Sequence, residues 1–387
     1  MPLRVVLYCP DRHLIYDGRT PGEIGIGGGV TARVRMARAL ARLGHDVTQV
    51  VNCPRRETID GVDYRPLDDA GRLEVDVAVF NTSGGALDLS PALKLNLAAR
   101  LRIVWVHGLL PPGGHDRLGH DAVYAVSNFL GRIVVDTWGV PAERLFVTYN
   151  GYEQAHFVAA EAAAPERDPF QLIYFSHPSK GLDTALAIMK ELGAAEPRFH
   201  LEVVGGGQLW GGGASPAIQA DGVRDHGLLG QRDLVPLLLR STYALQMQSR
   251  EEPGALAIPE ARRAGCMIIA SAVGCYAEQV ADGVDGVIVP GDHREPSVQQ
   301  AAVEAIRKLH ADPQARAAIV RRARAAALDT DTLAKAWVED WRARLGEGEP
   351  RRTTCSHCGG WANRLADGDH CTACGRFTPP VLAGERR

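Results

Sequence analysis

The chain has 387 residues, 45% of them hydrophobic and 23% charged, with a net charge of −3. At ~150 residues per domain this length suggests two or three domains with sizeable cores, and the near balance of charge excludes bulk affinity for nucleic acid or anionic lipid. No apolar run approaches the ~18 residues of a membrane span, and Met1 leads straight into the strand-like stretch 3–8 without a signal-peptide pattern. A cytoplasmic protein is expected, with peripheral membrane contact through a local patch left open.

Short β-rich runs alternate with helix-length segments, the pattern of two doubly wound α/β domains with parallel sheets. The first series opens with a strand over 4–9. A loop holding Gly22, Gly25, Gly27, Gly28 and Gly29 follows, then an amphipathic helix over 31–43 that stops at Gly44 before a strand over 47–51. Further strands are expected over 75–80, 103–106, 122–126 and 145–148. The stretch 159–168, rich in Ala and Glu with Pro165, reads as an interdomain linker. The second series has strands over 172–175, 200–204, 242–246, 267–270 and 287–289, then helices over 298–311, 313–326 and 332–345. Trp337 and Trp341, four residues apart, form a packing stripe on the last of these. The expected domains are 1–160, 166–345 and, beyond a polar linker at 346–350, a small unit at 351–387.

Residues that could carry chemistry lie at strand C-terminal ends, where doubly wound folds bind ligands. Seven residues separate Glu252 from Glu260, just after the strand over 242–246. Pro259 fits the first position of a helix, which puts Glu260 in its first turn, favoured by the helix dipole. A carboxylate fixed there can accept two hydrogen bonds from a ribose diol, Glu252 can reach another part of the same ligand, and the N–H groups between them suit a phosphate. The same spacing also fits a surface helix with acids in its first turn. Lys180, between a strand and a predicted helix, is either a solvated lysine or the cation that a departing phosphate needs. Gly28 and Gly29 let the backbone approach a ligand at a helix start. The glycine spacing, and the lack of an acidic residue closing the strand over 47–51, exclude a nicotinamide fingerprint. His107 closes the strand over 103–106; a lone histidine there is more often structural.

Several segments, taken in order, resemble one family. Val126-Ser127-Asn128-Phe129, Thr148-Tyr149-Asn150-Gly151, Lys180-Gly181-Leu182-Asp183, the Glu252/Glu260 pair, the run from Ala270 to Val280 and the run from Asp282 to Pro290 are similar to the ordered motifs of the retaining GT-B glycosyltransferases of family 4, including their E-x7-E signature. The general layout extends this resemblance over residues 1–345. It implies a GT-B fold, two Rossmann-like domains facing a cleft, with the terminal helix crossing back onto the first. It further implies a nucleotide-sugar donor bound by Gly28, Gly29, Lys180, Glu252, Ala255, Leu256 and Glu260, with His107, Lys180 and Glu252 as the catalytic set. His107 would contact the donor sugar and help stabilise positive charge at the reacting carbon. The implied reaction is hexosyl transfer to a hydroxyl of a glycan, lipid or small molecule by front-face attack, the diphosphate taking the acceptor proton. No catalytic metal is expected, and the loops over 82–91 and 109–121 would face the acceptor. Two departures stand out. Family members often carry an arginine about five residues before the lysine, where Phe175, Ser176 and His177 offer none; His177 or Arg250 are candidates to replace it. Ala255 stands where glycine is usual. The alternative is a degenerate scaffold that binds ligand without turnover and recruits partners through its tail.

That tail carries Cys355 and Cys358, then Cys371 and Cys374, with twelve residues between the pairs and Gly359 and Gly375 following them. Two C-x-x-C turns at this spacing predict a four-thiolate structural zinc site of the zinc-ribbon kind, whose ion supplies the folding energy that so short a segment lacks. With four sulfur ligands the zinc is not catalytic, and the ribbon is expected to dock a protein partner or present an acceptor. Cys9, Cys53, Cys266 and Cys275 have no matching spacing and read as ordinary thiols.

Overall fold

Runs of Val, Ile, Leu and aromatic residues buried on both faces make the strands, as in parallel sheets covered by helices on both sides. The computed structural model describes residues 1–82, 87–346, 352–359, 361–365, 368–371 and 376–378. Cys374 and Gly375, the linker residues 347–350, and residues 83–86 of the expected acceptor loop lie outside the described residues. Strands β1 to β8 occupy Arg4–Tyr8, Asp46–Val51, Glu57–Ile59, Val62–Pro66, Leu73–Asn81, Leu97–Val106, Ala122–Ala125 and Leu145–Val147. Strands β9 to β14 are Asp168–Phe175, His200–Val204, Val223–Asp225, Ser241–Gln246, Met267–Ser271 and Val287–Val289, and β15 to β18 are Arg352–Thr354, Trp361–Leu365, Gly368–Cys371 and Phe377–Thr378. Helices α1 to α6 are Thr20–Glu23, Gly28–Arg42, Asn128–Asp136, Gln154–Glu161, Leu182–Ala195 and Gln231–Arg240; α7 to α11 are Ala257–Ala264, Tyr276–Gln279, Pro296–Ala311, Pro313–Ala325 and Thr330–Arg344.

Contacts divide the chain into two units. The first joins Met1–Arg19, Gly28–Asn150 and the described residues from Thr330 onward; the second joins Thr20–Gly27 to Gly151–Asp329. In the first unit the sheet order is β3-β4-β2-β1-β5-β6-β7-β8, parallel throughout except for the β3–β4 hairpin. The chain leaves β1 toward β2 on one side and returns to β5 on the other, so the C-terminal ends of β1 and β5 mark a topological switch point. The second sheet, β11-β10-β9-β12-β13-β14, is parallel throughout and switches between β9 and β12. Its two faces follow the strand period of two. Ile173, Ala244 and Ile268 pack with Leu238 of α6 and Ile258 of α7, while Leu172, Tyr174, Tyr243 and Leu245 pack with Ile188 of α5 and Ile306 of α9.

Two of the segments singled out in the sequence have direct structural causes. Ser127 caps α3, its side chain accepting from the Leu130 N–H at 3.0 Å, and Asn128 donates to the Tyr149 hydroxyl at 2.8 Å, joining two motifs that are distant in sequence. The terminal helix α11 belongs to the first unit, where Trp337 and Trp341 are fully buried. Trp337 donates through Nε1 to Thr148 Oγ1 at 2.8 Å and meets the Trp105 ring edge-on at 4.8 Å.

Some boundaries differ from those read off the sequence. β5 and β6 start upstream of 75 and 103; β6 begins with an alternation of half-buried and exposed residues that lacks an apolar run. The β3–β4 hairpin turns at Asp60-Gly61, both with positive φ (51° and 79°), the arrangement favoured in two-residue hairpins. Helix α4 occupies the start of the stretch 159–168 expected to be linker, because Phe157 is buried in the core of the second unit. The four tail strands form a sequentially ordered antiparallel sheet. No helix among the described residues is long and apolar enough to cross a membrane.

Trp337→Ala should destabilise the first unit by ~3–5 kcal/mol, the usual cost of emptying a buried tryptophan site. Chemical denaturation followed by near-UV circular dichroism measures it.

Candidate active site

In the second unit the side chains gather where β9 and β12 end. Lys180 sits in the turn between β9 and α5. The next residue, Gly181, has φ +87°, and a Cβ there would fall 1.8 Å from the Met247 carbonyl oxygen. Only glycine permits this approach, which presses the lysine turn onto the end of β12. Lys180 Nζ pairs with a carboxylate oxygen of Glu252. Gln248 Nε2 reaches the same oxygen at 3.4 Å and donates to the Tyr276 hydroxyl at 2.9 Å. Tyr276 in turn donates to Gln246 Oε1 at 3.2 Å. Burial, then the nearby Glu252 charge, hold the Tyr276 phenol well above its ordinary range, so it keeps the proton it donates. The Glu252 carbonyl accepts from the Cys275 N–H at 2.8 Å, which anchors the Glu252 loop to the segment from Ala270 to Val280.

Lys180 and Glu252 are thus brought together. Glu260 is buried, 4% exposed, in the first turn of α7. The helix begins at Ala257, two residues earlier than Pro259 predicted; Pro259 takes the third position, where its missing N–H is still among the four that a helix leaves unpaired. Leu256 caps α7, and its carbonyl accepts the Glu260 N–H at 3.4 Å. The Ala255 N–H, one of those expected to suit a phosphate, donates instead to Cys275 Sγ at 3.3 Å. Burial, then Glu252, raise the Cys275 thiol well above its ordinary range, which keeps it protonated. Gly28 and Gly29 open α2. Gly25 and Gly27 have a structural cause: added Cβ atoms would lie 3.1 Å and 2.8 Å from the carbonyls of Leu229 and Leu209, so these glycines serve packing against the chain itself.

The first unit builds a second polar cluster at its own switch point. Asn81 is the last residue of β5, and His107 directly follows β6. Arg33 of α2, fully buried, donates through Nη1 to Asn81 Oδ1 at 3.0 Å and through Nε to the Tyr16 hydroxyl at 3.2 Å. A guanidinium only donates, so the Asn81 amide must present its oxygen to Arg33 and its NH2 to the other side. There Asn81 Nδ2 donates to the Trp105 carbonyl at 2.7 Å and to His107 Nδ1 at 2.9 Å. His107 therefore carries its proton on Nε2. Burial and then the Arg33 charge push its pKa down to about 3, with Asn150 partly offsetting them. The imidazole is neutral, and its ring packs edge-on against Trp105 at 4.5 Å. Arg33, Asn81 and Gln248 were not singled out in the sequence, and Tyr276 only as a member of the run from Ala270 to Val280. Asn81, a polar residue directly beyond an apolar strand, was the one with a local signal.

In the tail, one sulfur each from Cys355, Cys358 and Cys371 lie within 4.8 Å of one another, with Cys358 and Cys371 3.5 Å apart. Cys9, Cys53, Cys266 and Cys275 are buried free thiols, as expected of ordinary core cysteines.

Two parallel Rossmann-like sheets, each collecting polar residues at its switch point, define the GT-B fold. Residues 164–326 match the family model "Glycosyl transferases group 1". Glycogen synthases from two strains of Mycobacterium tuberculosis are 27% identical over 245 residues, covering 60% of this chain and 56% of their own length; the match thus spans little more than half of these relatives. Among solved structures, AviGT4, a glycosyltransferase involved in avilamycin A biosynthesis, superposes with a TM-score of 0.62 at 21% identity, covering 89% of this chain and 98% of that one. Sucrose-phosphate synthase from Thermosynechococcus elongatus gives 0.62 at 17% identity over 89% and 99%. Anabaena HepE, solved with UDP and glucose, gives 0.58 at 16% over 88% and 100%.

The His107 geometry has a measurable consequence. Its side-chain nitrogen resonances should show the neutral Nε2–H form throughout pH 5–8, whereas Asn81→Asp, placing a carboxylate against Nδ1, should move the proton and bring titration into that window. Unfolded histidine takes up a proton near pH 6.5 and folded His107 only near 3, so this group makes stability fall as pH drops between those values, by at most ~1.4 kcal/mol per pH unit.

Proposed function

We propose that the chain is a retaining glycosyltransferase of family 4, moving a hexosyl group from a nucleotide-sugar to a hydroxyl of a glycan, a lipid-linked acceptor or a small molecule. The observation that carries this reading is Lys180 held against Glu252 at the switch point of the second sheet, inside the segment that matches the family model. Departure of the nucleoside diphosphate leaves charge on phosphate, and an aimed cation stabilises it; Lys180 has that role. Glu252 orients sugar hydroxyls, and Glu260 accepts from the ribose diol, with Leu256, Gly28 and Gly29 beside the donor. Ala255 adds packing more than a phosphate contact, since its N–H is engaged. His107, neutral and protonated on Nε2, donates to the donor sugar. The acceptor oxygen bonds to the anomeric carbon on the face from which the diphosphate leaves, and its proton passes to a diphosphate oxygen. A UDP- and glucose-bound neighbour of the same fold supports a nucleotide-sugar donor. No catalytic metal enters this scheme, and it operates in the cytoplasm.

The tail reads as a zinc ribbon holding one structural Zn2+ through Cys355, Cys358, Cys371 and Cys374, with a protein partner docking on it. A tetrahedral ion with Zn–S bonds of ~2.3 Å sets its sulfurs ~3.8 Å apart, and the 3.5 Å Cys358–Cys371 separation fits that spacing.

Purified protein given UDP-, GDP-, ADP- and dTDP-sugars should release nucleotide from one donor class, and Lys180→Ala and Glu260→Ala should each lower that rate at least ~100-fold, the scale of losing one aimed charge. Silence from wild type together with an absence of nucleotide binding would sink the reading. For the ribbon, elemental analysis should find one zinc per chain. Chelation or Cys371→Ser should release it and expose the tail to proteolysis while residues 1–345 stay folded.

A further inference from the structure

The indole of Trp210, between β10 and β11, is met by three basic side chains. His177 lies flat on it, ring centroids 3.8 Å apart and planes 7° apart. Lys180 Nζ stands 5.5 Å from the ring centroid and Arg250 Cζ 5.0 Å. His177 and Lys180 come from the turn after β9, and Arg250 from the loop after β12, the two segments that bracket the switch point of this sheet. Gly27 abuts the same ring: a Cβ there would lie 3.4 Å from Trp210 Cδ1.

The charges in this cluster do not balance. Lys180 is answered by Glu252. Burial, then the Lys180 and Arg250 charges, push the His177 pKa down, which keeps that imidazole neutral. The contact of Arg250 among the described residues is the Trp210 ring, with no carboxylate paired to it. A guanidinium parked on an indole keeps its N–H fork directed outward, and that fork matches two oxygens of a phosphate. The turn after β9 carries no arginine of its own, and its His177 is stacked on the Trp210 ring.

We propose that Arg250, held on Trp210, is the second cation of a diphosphate site: it and Lys180 together bind the two phosphates of a nucleoside diphosphate. The proposal rests on reading the second unit as a nucleotide-sugar site. Lys180 divides its charge between Glu252 and the ligand, whereas Arg250 has its whole charge to give. Removing Arg250 therefore weakens the phosphate part of recognition and leaves the nucleoside part intact.

The full chain would be titrated calorimetrically with UDP, GDP, ADP and dTDP, with the matching nucleosides and with inorganic pyrophosphate. Arg250 is exposed, so its substitution leaves the fold in place. Arg250→Gln should lower affinity for the accepted nucleoside diphosphate, and for pyrophosphate, by roughly 10- to 100-fold, the scale of one charge-assisted contact. Nucleoside affinity should stay unchanged. Arg250→Lys should restore only part of the loss, because an ammonium lacks the fork; Trp210→Leu should weaken diphosphate binding in the same direction; and Lys308→Gln, removing an exposed charge on α9, should do nothing. Equal diphosphate affinity in wild type and Arg250→Gln would overturn this inference and leave the donor reading standing, as would parallel losses for nucleoside and diphosphate. Wild type that binds none of the four diphosphates would overturn both.

Discussion

The arrangement of the second unit depends on one ion pair, Lys180 with Glu252, formed where solvent is largely excluded. Glu252 is 6% exposed, and a carboxylate taken that far from water is tolerable only with a cation and further donors around it. The lysine supplies the cation and Gln248 the additional donor, itself held by the Tyr276 hydroxyl. What makes the pair geometrically available is backbone packing: the turn after β9 reaches the end of β12 only because residue 181 has no side chain. The chemistry of the site thus follows from a steric condition one residue away from it. For the phosphate ligand proposed above, Lys180 is already committed to a partner, so binding there would be an exchange of partners more than a simple attraction.

The two units solve the same problem differently. Each collects polar residues where its sheet changes direction, as the doubly wound architecture provides. In the second unit the result is charged and partly open, with Lys180 19% exposed. In the first it is a closed chain of donors and acceptors from Arg33 through Asn81 to His107, which fixes a proton on one nitrogen of one ring. Burial of Arg33 is what makes this possible: a guanidinium at the surface would neither orient the amide nor hold the imidazole neutral.

The strand positions were legible because residues such as Val77, Val79, Ile103 and Leu172 are buried on covered sheets and form uninterrupted apolar runs. Motif order singled out Lys180, Glu252 and Glu260, of which the structure joins the first two, and helical spacing made the buried pair Trp337 and Trp341 legible. The partners of those residues were not. Arg33, Asn81 and His107 lie far apart in the chain and meet only because β1, β5 and β6 are neighbours in the sheet, an order that no local pattern encodes. Trp210 ends a single 3-10 turn, Gly207–Trp210, in a glycine-rich stretch too short to show periodicity, so nothing nearby distinguished it from a surface residue. The Asp60-Gly61 hairpin, by contrast, had a local signal that the emphasis on long apolar runs passed over. Helix α7 starts at Ala257 because Ile258 belongs to the buried core, a tertiary demand that overrides the preference of proline for a first position.

The first unit is assembled from both ends of the chain, and this bears on how the protein is made. Residues 148 and 337, joined by a side-chain hydrogen bond, are separated by 189 positions, and Trp105 and Tyr124 both pack on that same late tryptophan. A ribosome translating in order delivers the eight strands of the first sheet well before the helix that covers them. Most of the second unit, Gly151–Asp329, is by contrast contiguous and has its core complete as soon as it emerges. Since domains tend to fold as they leave the ribosome, the later part of the chain can reach its native packing first. The earlier part then waits, with an uncovered aromatic patch around Trp105, for its last helix. During that interval the uncovered patch is open to non-native association.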